Sequence, residues 1–202
     1  LVYNLARQGK KIPIQSLILS GVIVSMALSA IIVFLISISP NEALHGVIWW
    51  LWGSLQVFNF KLLFIISAIV ILGILTIFIF SQDLNAISIG EEEAVHLGIN
   101  VETIKKIIIL VTSLITASLV CISGIIGFVG LIVPHFIRYF VTGPKHKFLI
   151  PVSAISGAIF LILCDTLARP IIAPVELPVG VITGILGGMF FLTFFLRQKT
   201  II

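Results

Sequence analysis

A long polar stretch, residues 81–106, separates two strongly apolar halves of this chain. It carries most of the acidic residues of the protein, namely Asp83, Glu91, Glu92, Glu93 and Glu102. Such a stretch cannot lie in hydrocarbon, because its charges and its backbone groups would lose the water that hydrates them. It must therefore lie in water, between two halves that each cross a membrane.

The composition supports a membrane protein of the helical class. Of the 202 residues, 59% are hydrophobic and only 10% are charged, whereas soluble domains have about 25% charged residues. The apolar runs are about twenty residues long, which is typical of transmembrane helices, and they lack the alternation of a membrane β-barrel. The sequence therefore predicts one domain over residues 1–202, an all-α, polytopic transmembrane helix bundle.

The apolar runs predict about six spans in this chain. They lie at residues 16–38, 60–80, 103–123, 128–140, 148–168 and 179–196. The fourth is short, at roughly 20 Å against a hydrocarbon core of about 30 Å. Residues 42–56 contain three tryptophans and predict an interfacial helix. The chain starts with Leu1 and the end of an apolar run, so we expect it to begin inside a longer protein.

Within the polar stretch, the local pattern predicts a helix, a break and a second helix. Residues 84–88 fit a single turn, and Ser88 with Glu91 fits a capping box that opens the second helix. Gly98 is placed to end that helix. Ala94 and Leu97 are three residues apart, so we expect them to share one apolar face. This face predicts docking of a soluble partner, and a loop lying on lipid headgroups remains the alternative.

The distribution of basic residues predicts the orientation in the membrane. Alternating the six spans places Lys61 and Arg169 on one side. The other side receives Arg7, Lys10, Lys11, Lys105, Lys106, Arg138, Lys145, Lys147, Arg197 and Lys199. The richer side is expected to be cytoplasmic, which puts the polar stretch and the C-terminus inside the cell.

Three charged residues near the end of the fifth span are candidates for a functional role. Asp165 and Arg169 are four residues apart and share a helix face, and Glu176 follows in the next loop. They either line an outer mouth that meets a soluble partner, or Asp165 and Arg169 pair with each other and hold the loop. Ion-coupled carriers usually need ionisable groups deeper in the bundle.

Glycines recur at Gly124, Gly127 and Gly130, and again in the last span. They allow two backbones to pack closely, or alternatively they line a pathway with exposed backbone. Pro134 predicts a kink in the short fourth span.

No catalytic or metal site is predicted. His135 near Arg138 fits an interfacial anchor, and the spacing of Ser123 and His135 gives no support to a hydrolase pair. Cys121 and Cys164 fall in predicted spans, which favours small buried hydrophobic side chains. There is no phosphate-binding loop of the G-x-x-x-x-G-K-[ST] type, and the scattered basic residues do not indicate a nucleic-acid partner.

Three segments carry a resemblance to a known family. The run GIIGFVGLIVPHFIRYFVTGPKHKFLIPVSAISGAIFLILCDTLARP begins at Gly124, ELPVGVITGILGGMFFL begins at Glu176, and GEEEAVHLGIN begins at Gly90. Together they resemble the FecCD family, the membrane permeases of ABC importers for iron–siderophores, haem and vitamin B12. Family members have about ten spans, so the resemblance implies that this chain is the C-terminal portion.

The resemblance implies roles that the residue pattern alone does not. The loop at about residues 81–106 would be a pair of coupling helices in a cleft of a cytoplasmic ABC ATPase. The matching positions are Gly90, Glu91, Ala94, Leu97 and Gly98. Arg169 and Glu176 would face an extracytoplasmic substrate-binding protein. A second permease subunit, identical or paralogous, would complete a dimer around the pathway in the bacterial plasma membrane.

The expected function is therefore transport without catalysis. The chain would move an iron–siderophore-type chelate into the cytoplasm by alternating access, powered by a partner ATPase and without a cofactor of its own. Haem and vitamin B12 are alternative cargoes. An ion-coupled secondary transporter, an intramembrane enzyme and a fragment with an assembly role are the alternatives from other classes.

Overall fold

The computed structural model of this protein describes residues 1–7, 9, 12–57, 59–141, 143, 145–171 and 177–199, without the side chains of residues 41–43, 45, 195 and 197–199. Every regular element in these residues is an α-helix. The helices are α1 (Val2–Ala6), α2 (Ile14–Ser37), α3 (Asn41–Trp52), α4 (Phe60–Ile79), α5 (Ser81–Ile89), α6 (Glu91–His96), α7 (Val101–Ser123), α8 (Val129–Phe140), α9 (His146–Ala168) and α10 (Val179–Lys199).

The chain forms two compact units, Leu1–Val47 and Ile48–Ile202, and α3 crosses the boundary between them. In the first unit α1 packs against α2, and Ala6 is fully buried. Helix α2 begins directly after Pro13, whose fixed φ of −65° suits a residue that precedes a helix.

In the second unit, α4 packs along α7, while α8, α9 and α10 pack against one another. Val133 and Ile137 of α8, four residues apart on one helix face, form a buried cluster with Leu149 of α9. Partly buried residues surround this cluster, namely Val129, Val152 and Phe160. Helix α5 also contacts α9, which connects the polar stretch to the packed helices.

Four helices in the described residues are long and apolar enough to cross a membrane, namely α2, α4, α7 and α9. Helix α8 and residues 179–194 of α10 are shorter apolar segments. The prediction of an all-α polytopic membrane bundle is confirmed, and each predicted span coincides with a helix. The predicted interfacial helix at residues 42–56 is α3, which ends earlier, at Trp52. With 12 residues, α8 is only about 18 Å long, so it is too short to cross a membrane alone.

Candidate functional site

The polar stretch folds into α5, α6 and the first turn of α7. Its first helix is longer than the predicted turn at residues 84–88, because α5 has nine residues and starts at Ser81. The backbone hydrogen bonds continue through Phe80, which donates to the Thr76 carbonyl and accepts from the Leu84 amide. The polar stretch therefore begins without an unstructured linker after α4.

The predicted capping box of Ser88 and Glu91 is wrong. Ser88 belongs to the last turn of α5, where its hydroxyl donates to the Asn85 carbonyl oxygen at 2.7 Å. The residue that precedes α6 is Gly90, and no side chain caps that helix. The three glutamates do occupy the first turn of α6, as expected, where negative charge interacts favourably with the helix dipole.

Gly98 terminates α6 as expected. Its φ of +81° lies in the left-handed region, which glycine adopts without steric cost. The Gly98 amide donates to the Val95 carbonyl at 2.9 Å and the Ile99 amide to the Ala94 carbonyl at 3.1 Å. This pair of bonds is a Schellman motif, which turns the chain towards the start of α7.

Ala94 and Leu97 differ in burial, so the predicted shared apolar contact face does not form. Ala94 is fully buried, whereas Leu97 is 71% exposed. Leu97 still follows the helix, since its amide donates to the Glu93 carbonyl at 3.1 Å. Two other apolar side chains of the stretch, Ile89 and Val95, are also more than half exposed. We call Ile89, Val95 and Leu97 the exposed loop residues.

Polar contacts hold α6 against the first turn of α7. Lys105 Nζ lies 2.6 Å from Glu91 Oε2 and 3.7 Å from Glu102 Oε1. Asn100 caps α7, since its Oδ1 accepts from the Thr103 amide at 3.2 Å. Glu91, one of the predicted coupling residues, is therefore linked to α7 by this ion pair.

A second set of contacts joins α5 to the start of α9. Asn85 Oδ1 accepts from the His146 backbone amide at 2.8 Å and lies 2.7 Å from His146 Nδ1. The His146 backbone amide fixes the orientation of the Asn85 side-chain amide group, because the oxygen of that group can accept from an N–H and its nitrogen cannot. Nδ1 must then carry a proton and donate to the same oxygen. Sequence analysis missed this link, because the two residues are 61 positions apart.

At the other end of α7, three glycines bring separate backbones together. We call Gly53, Gly124 and Gly180 the glycine junction. The Ser54 amide donates to the Ser123 carbonyl at 2.8 Å. A Cβ added at Gly124 would overlap the Trp50 carbonyl oxygen, and one added at Gly180 would overlap the Trp52 carbonyl oxygen.

The predicted glycines therefore divide into two groups. Gly124 is closely packed, whereas a Cβ at Gly127 or Gly130 would meet no atom within 4 Å. Close packing is thus wrong for Gly127 and Gly130 within the described part of the chain. In the last span Gly187 lies directly under the Phe128 ring. Phe128 has a φ of +67°, which is unusual for a residue with a bulky side chain.

Pro134 lies inside α8, where it has no N–H to donate to the carbonyl four residues earlier. The neighbouring His135 ring packs against α10, with its centroid 4.3 Å from that of Phe194. The Ser123 hydroxyl donates to the Leu119 carbonyl of its own helix at 2.8 Å. His135 therefore has a packing contact with α10, and Ser123 a hydrogen bond within its own helix.

Asp165 and Arg169 at the end of α9 pair with each other, which is one of the two predicted roles of these residues. Arg169 Nη2 and Nε lie 2.8 and 3.0 Å from Asp165 Oδ2. The Arg169 side chain is still 49% exposed. Glu176 lies outside the described residues.

The remaining candidates concern metals and cysteines. No group of three or more metal-ligating side chains occurs among the residues that the structure describes. Cys164 is buried as expected, but Cys121 is exposed on α7, so the prediction that both are buried is wrong for Cys121.

Comparison with known proteins adds a family to this geometry. The sequence model of the FecCD transport family matches residues 1–197. The cobalamin import system permease protein BtuC of Halobacterium salinarum is 38% identical over 83% of this chain and 45% of its own length. The hemin transport system permease protein HmuU of Yersinia pestis is 35% identical over 98% of this chain and 59% of its own length.

A solved structure is similar as well. It is described as an inward-facing conformation of a metal-chelate type ABC transporter, and it matches with a TM-score of 0.82 at 33% identity. The match covers 88% of this chain and 57% of that chain. This chain spans about half the length of the curated relatives it matches.

Proposed function

Because this chain belongs to the FecCD transport family, we propose that it forms part of the membrane permease of an ABC importer. The cargo is a metal chelate of the iron–siderophore class, and haem and vitamin B12 are the alternatives, since the named relatives serve hemin and cobalamin. The chain contributes the pathway and a docking element, and a partner ATPase supplies the energy. The permease lies in the bacterial plasma membrane and pairs with a second permease subunit.

The observation that carries this proposal is the exposure of Ile89, Val95 and Leu97 in an otherwise polar loop. A loop that only faced water would gain nothing from three large apolar side chains. Burial of each against a partner would contribute about 1.5–3 kcal/mol. Exposed glutamates of α6 surround them, so a complementary cleft would combine apolar pockets with basic groups.

The support beneath the exposed loop residues explains how docking transmits force. Glu91 connects α6 to α7 through Lys105. Ala94, also in α6, is fully buried. A partner that moves α6 therefore also moves the start of α7. When the ATPase dimer closes on ATP, the loop follows and the spans tilt, which switches the pathway between the two sides of the membrane. Gly90, Gly98 and Leu97 shape and present this element.

The opposite side of the membrane receives the substrate-binding protein. The half-exposed, positively charged side chain of Arg169 at this end of α9 supports docking of an acidic surface, and Glu176 follows seven positions later in the sequence. Asp165 is the residue on which the ion-coupled alternative depends. Its carboxylate is paired with Arg169 at 2.8 Å, so the contact seen for Asp165 is an ion pair within its own helix.

Co-purification of the ATPase tests the proposal. The complete permease is purified in detergent from its native membrane, either unchanged or with residues 91–97 replaced by a Gly/Ser linker. The control is Lys61→Ala, because Lys61 lies at the far end of α4 from the loop. We expect the ATPase to co-purify with the unchanged protein and with the control, and to be lost with the linker. Retention of the ATPase by the linker variant would refute the docking assignment.

A further inference from the structure

We propose that Asn85 is a positioning residue that makes α5 and α9 move as one body, so that a displacement of the docking loop reaches the far end of α9. This inference rests on the proposed function, because it concerns how the loop's motion is used. The contact that carries it is the double acceptance by Asn85 Oδ1, from the His146 amide at 2.8 Å and from His146 Nδ1 at 2.7 Å.

The start of α9 needs such a contact. The residue that precedes the helix is Lys145, and no side chain of α9 itself caps the helix there. The Phe148 amide donates to the Lys145 carbonyl at 2.9 Å, but the His146 amide, at the first position of the helix, has no acceptor within the helix itself. Lys145, His146 and Lys147 also place basic groups where the helix dipole favours negative charge. The Asn85 carbonyl oxygen offsets both deficits from a different helix.

Two other asparagines in this chain show that the link is unusual. Asn59 caps its own helix α4, accepting from the Lys61 and Leu62 amides, and Asn100 caps its own helix α7. These three bonds join residues at most three positions apart. Asn85 uses the same chemistry across 61 positions. The three residues therefore separate the effect of capping a helix from the effect of joining two elements.

The geometry of α9 makes the link useful for transmission. Helix α9 has 23 residues, and is therefore about 34 Å long. Its first residue is bound to α5, and its last turns carry the Asp165–Arg169 pair. Helix α5 is continuous with α4 on one side and leads to α6 on the other. Motion of α6 on a partner can thus reach α9 without passing through α7.

The test measures coupling in the complete importer reconstituted in proteoliposomes. The variants are Asn85→Ala, Asn85→Asp and Asn59→Ala, and the readouts are ATP hydrolysed and chelate taken up. We expect uptake per ATP to fall about fivefold or more for Asn85→Ala, which is the low end of typical coupling between sites. Asn85→Asp keeps an acceptor oxygen and should restore most of the ratio. Asn59→Ala loses a cap of the same kind at the end of α4 that is far from the docking loop, and should leave the ratio unchanged.

A distance measurement tests the mechanical link without transport. Spin labels at the exposed positions Ser88 and Lys147 report on α5 and α9. We expect one narrow distance distribution, with and without ATP, in the unsubstituted and Asn59→Ala proteins, and a broadened distribution in Asn85→Ala. An unchanged distribution in Asn85→Ala, or an unchanged uptake ratio, would overturn the inference. Absence of ATP-driven uptake in the unsubstituted importer would instead overturn the proposed function, while the label distances would still decide the link.

Discussion

The two ends of α7 are built on different principles. At the Val101 end, side chains make the connections, through the Glu91–Lys105 ion pair and the Asn100 cap. At the Ser123 end, backbones meet directly, because Gly53, Gly124 and Gly180 leave no space for a Cβ. The first end also presents large apolar side chains to the surroundings, of which Leu97 is 71% exposed.

This difference indicates that the two ends of α7 have different roles. Contacts between backbones have little freedom to rearrange, because a shift of a few tenths of an ångström produces a clash. Side-chain contacts between polar groups can adjust while they keep their partners. We therefore infer that the glycine junction is the fixed end of α7, and that the loop end is where a partner acts. Each prediction below separates these two roles.

The largest effect is expected for Gly124→Ala. Gly124 has φ +68° and ψ −163°, a combination that is essentially restricted to glycine. The new methyl group would also overlap the Trp50 carbonyl oxygen. The two costs together should destabilise the protein by about 3 kcal/mol or more. Thermal unfolding of the purified permease measures the loss. Gly127→Ala is the control, since a Cβ there meets no atom within 4 Å.

A smaller loss of stability is expected for Gly180→Ala. The new Cβ would overlap the Trp52 carbonyl oxygen, but Gly180 is not among the glycines with positive φ, so only the clash remains. Its cost should be about 1–3 kcal/mol. Gly184 lies one turn further along α10, where a Cβ would meet no atom within 4 Å. Gly184→Ala should therefore leave stability unchanged or slightly higher. Equal unfolding temperatures for the two variants would contradict the close approach at the junction.

At the loop end, Leu97→Asp should weaken the partner and spare the fold. Its side chain is exposed, so removing it leaves no cavity, while a charge in a partner's apolar pocket is unfavourable. We expect the affinity for the ATPase to fall about tenfold or more, which corresponds to loss of one buried apolar side chain. Binding of the purified ATPase to nanodisc-embedded permease provides the measurement. Leu97→Met keeps the apolar character and should bind normally, and equal binding of both variants would rule out an apolar contact.

The smallest stability effect is expected for Arg169→Ala. The Asp165–Arg169 pair lies four residues apart on one helix, and the arginine is half-exposed. Such pairs contribute about 0.5 kcal/mol or less. A double-mutant cycle with Asp165→Ala, read by thermal unfolding, isolates this pair energy. A coupling well above 1 kcal/mol would mean that the pair is part of the fixed framework.

Hydropathy alone predicts the helices of this protein well. The spans predicted at 60–80, 103–123 and 148–168 end within three residues of α4, α7 and α9. Membrane helices satisfy their backbone within themselves, so long apolar runs leave few alternatives. The same rule predicts the polar stretch as a break between spans, and its order of helix, break and helix is also confirmed, whereas the capping box is not.

The errors arise where contacts are not local. Ser88 and Glu91 have the spacing of a capping box, but the preceding helix extends through Ser88 and uses its hydroxyl. Gly127 and Gly130 share the spacing of Gly124, yet only Gly124 meets another backbone. Spacing reports which residues can come close and does not identify the atoms that face them. No sequence pattern predicts the Asn85–His146 hydrogen bond, because the two residues lie 61 positions apart.

Site-specific photo-cross-linking in native membranes tests the central claim most directly. A photoreactive amino acid replaces either Leu97 in the loop or Phe64 in α4, two exposed apolar residues in different surroundings. The account predicts a cross-link from position 97 to an ABC ATPase, and none from position 64, which should face lipid or membrane-embedded protein. A cross-link to the ATPase from position 64, or none from position 97, would contradict the assignment of the loop as the docking element.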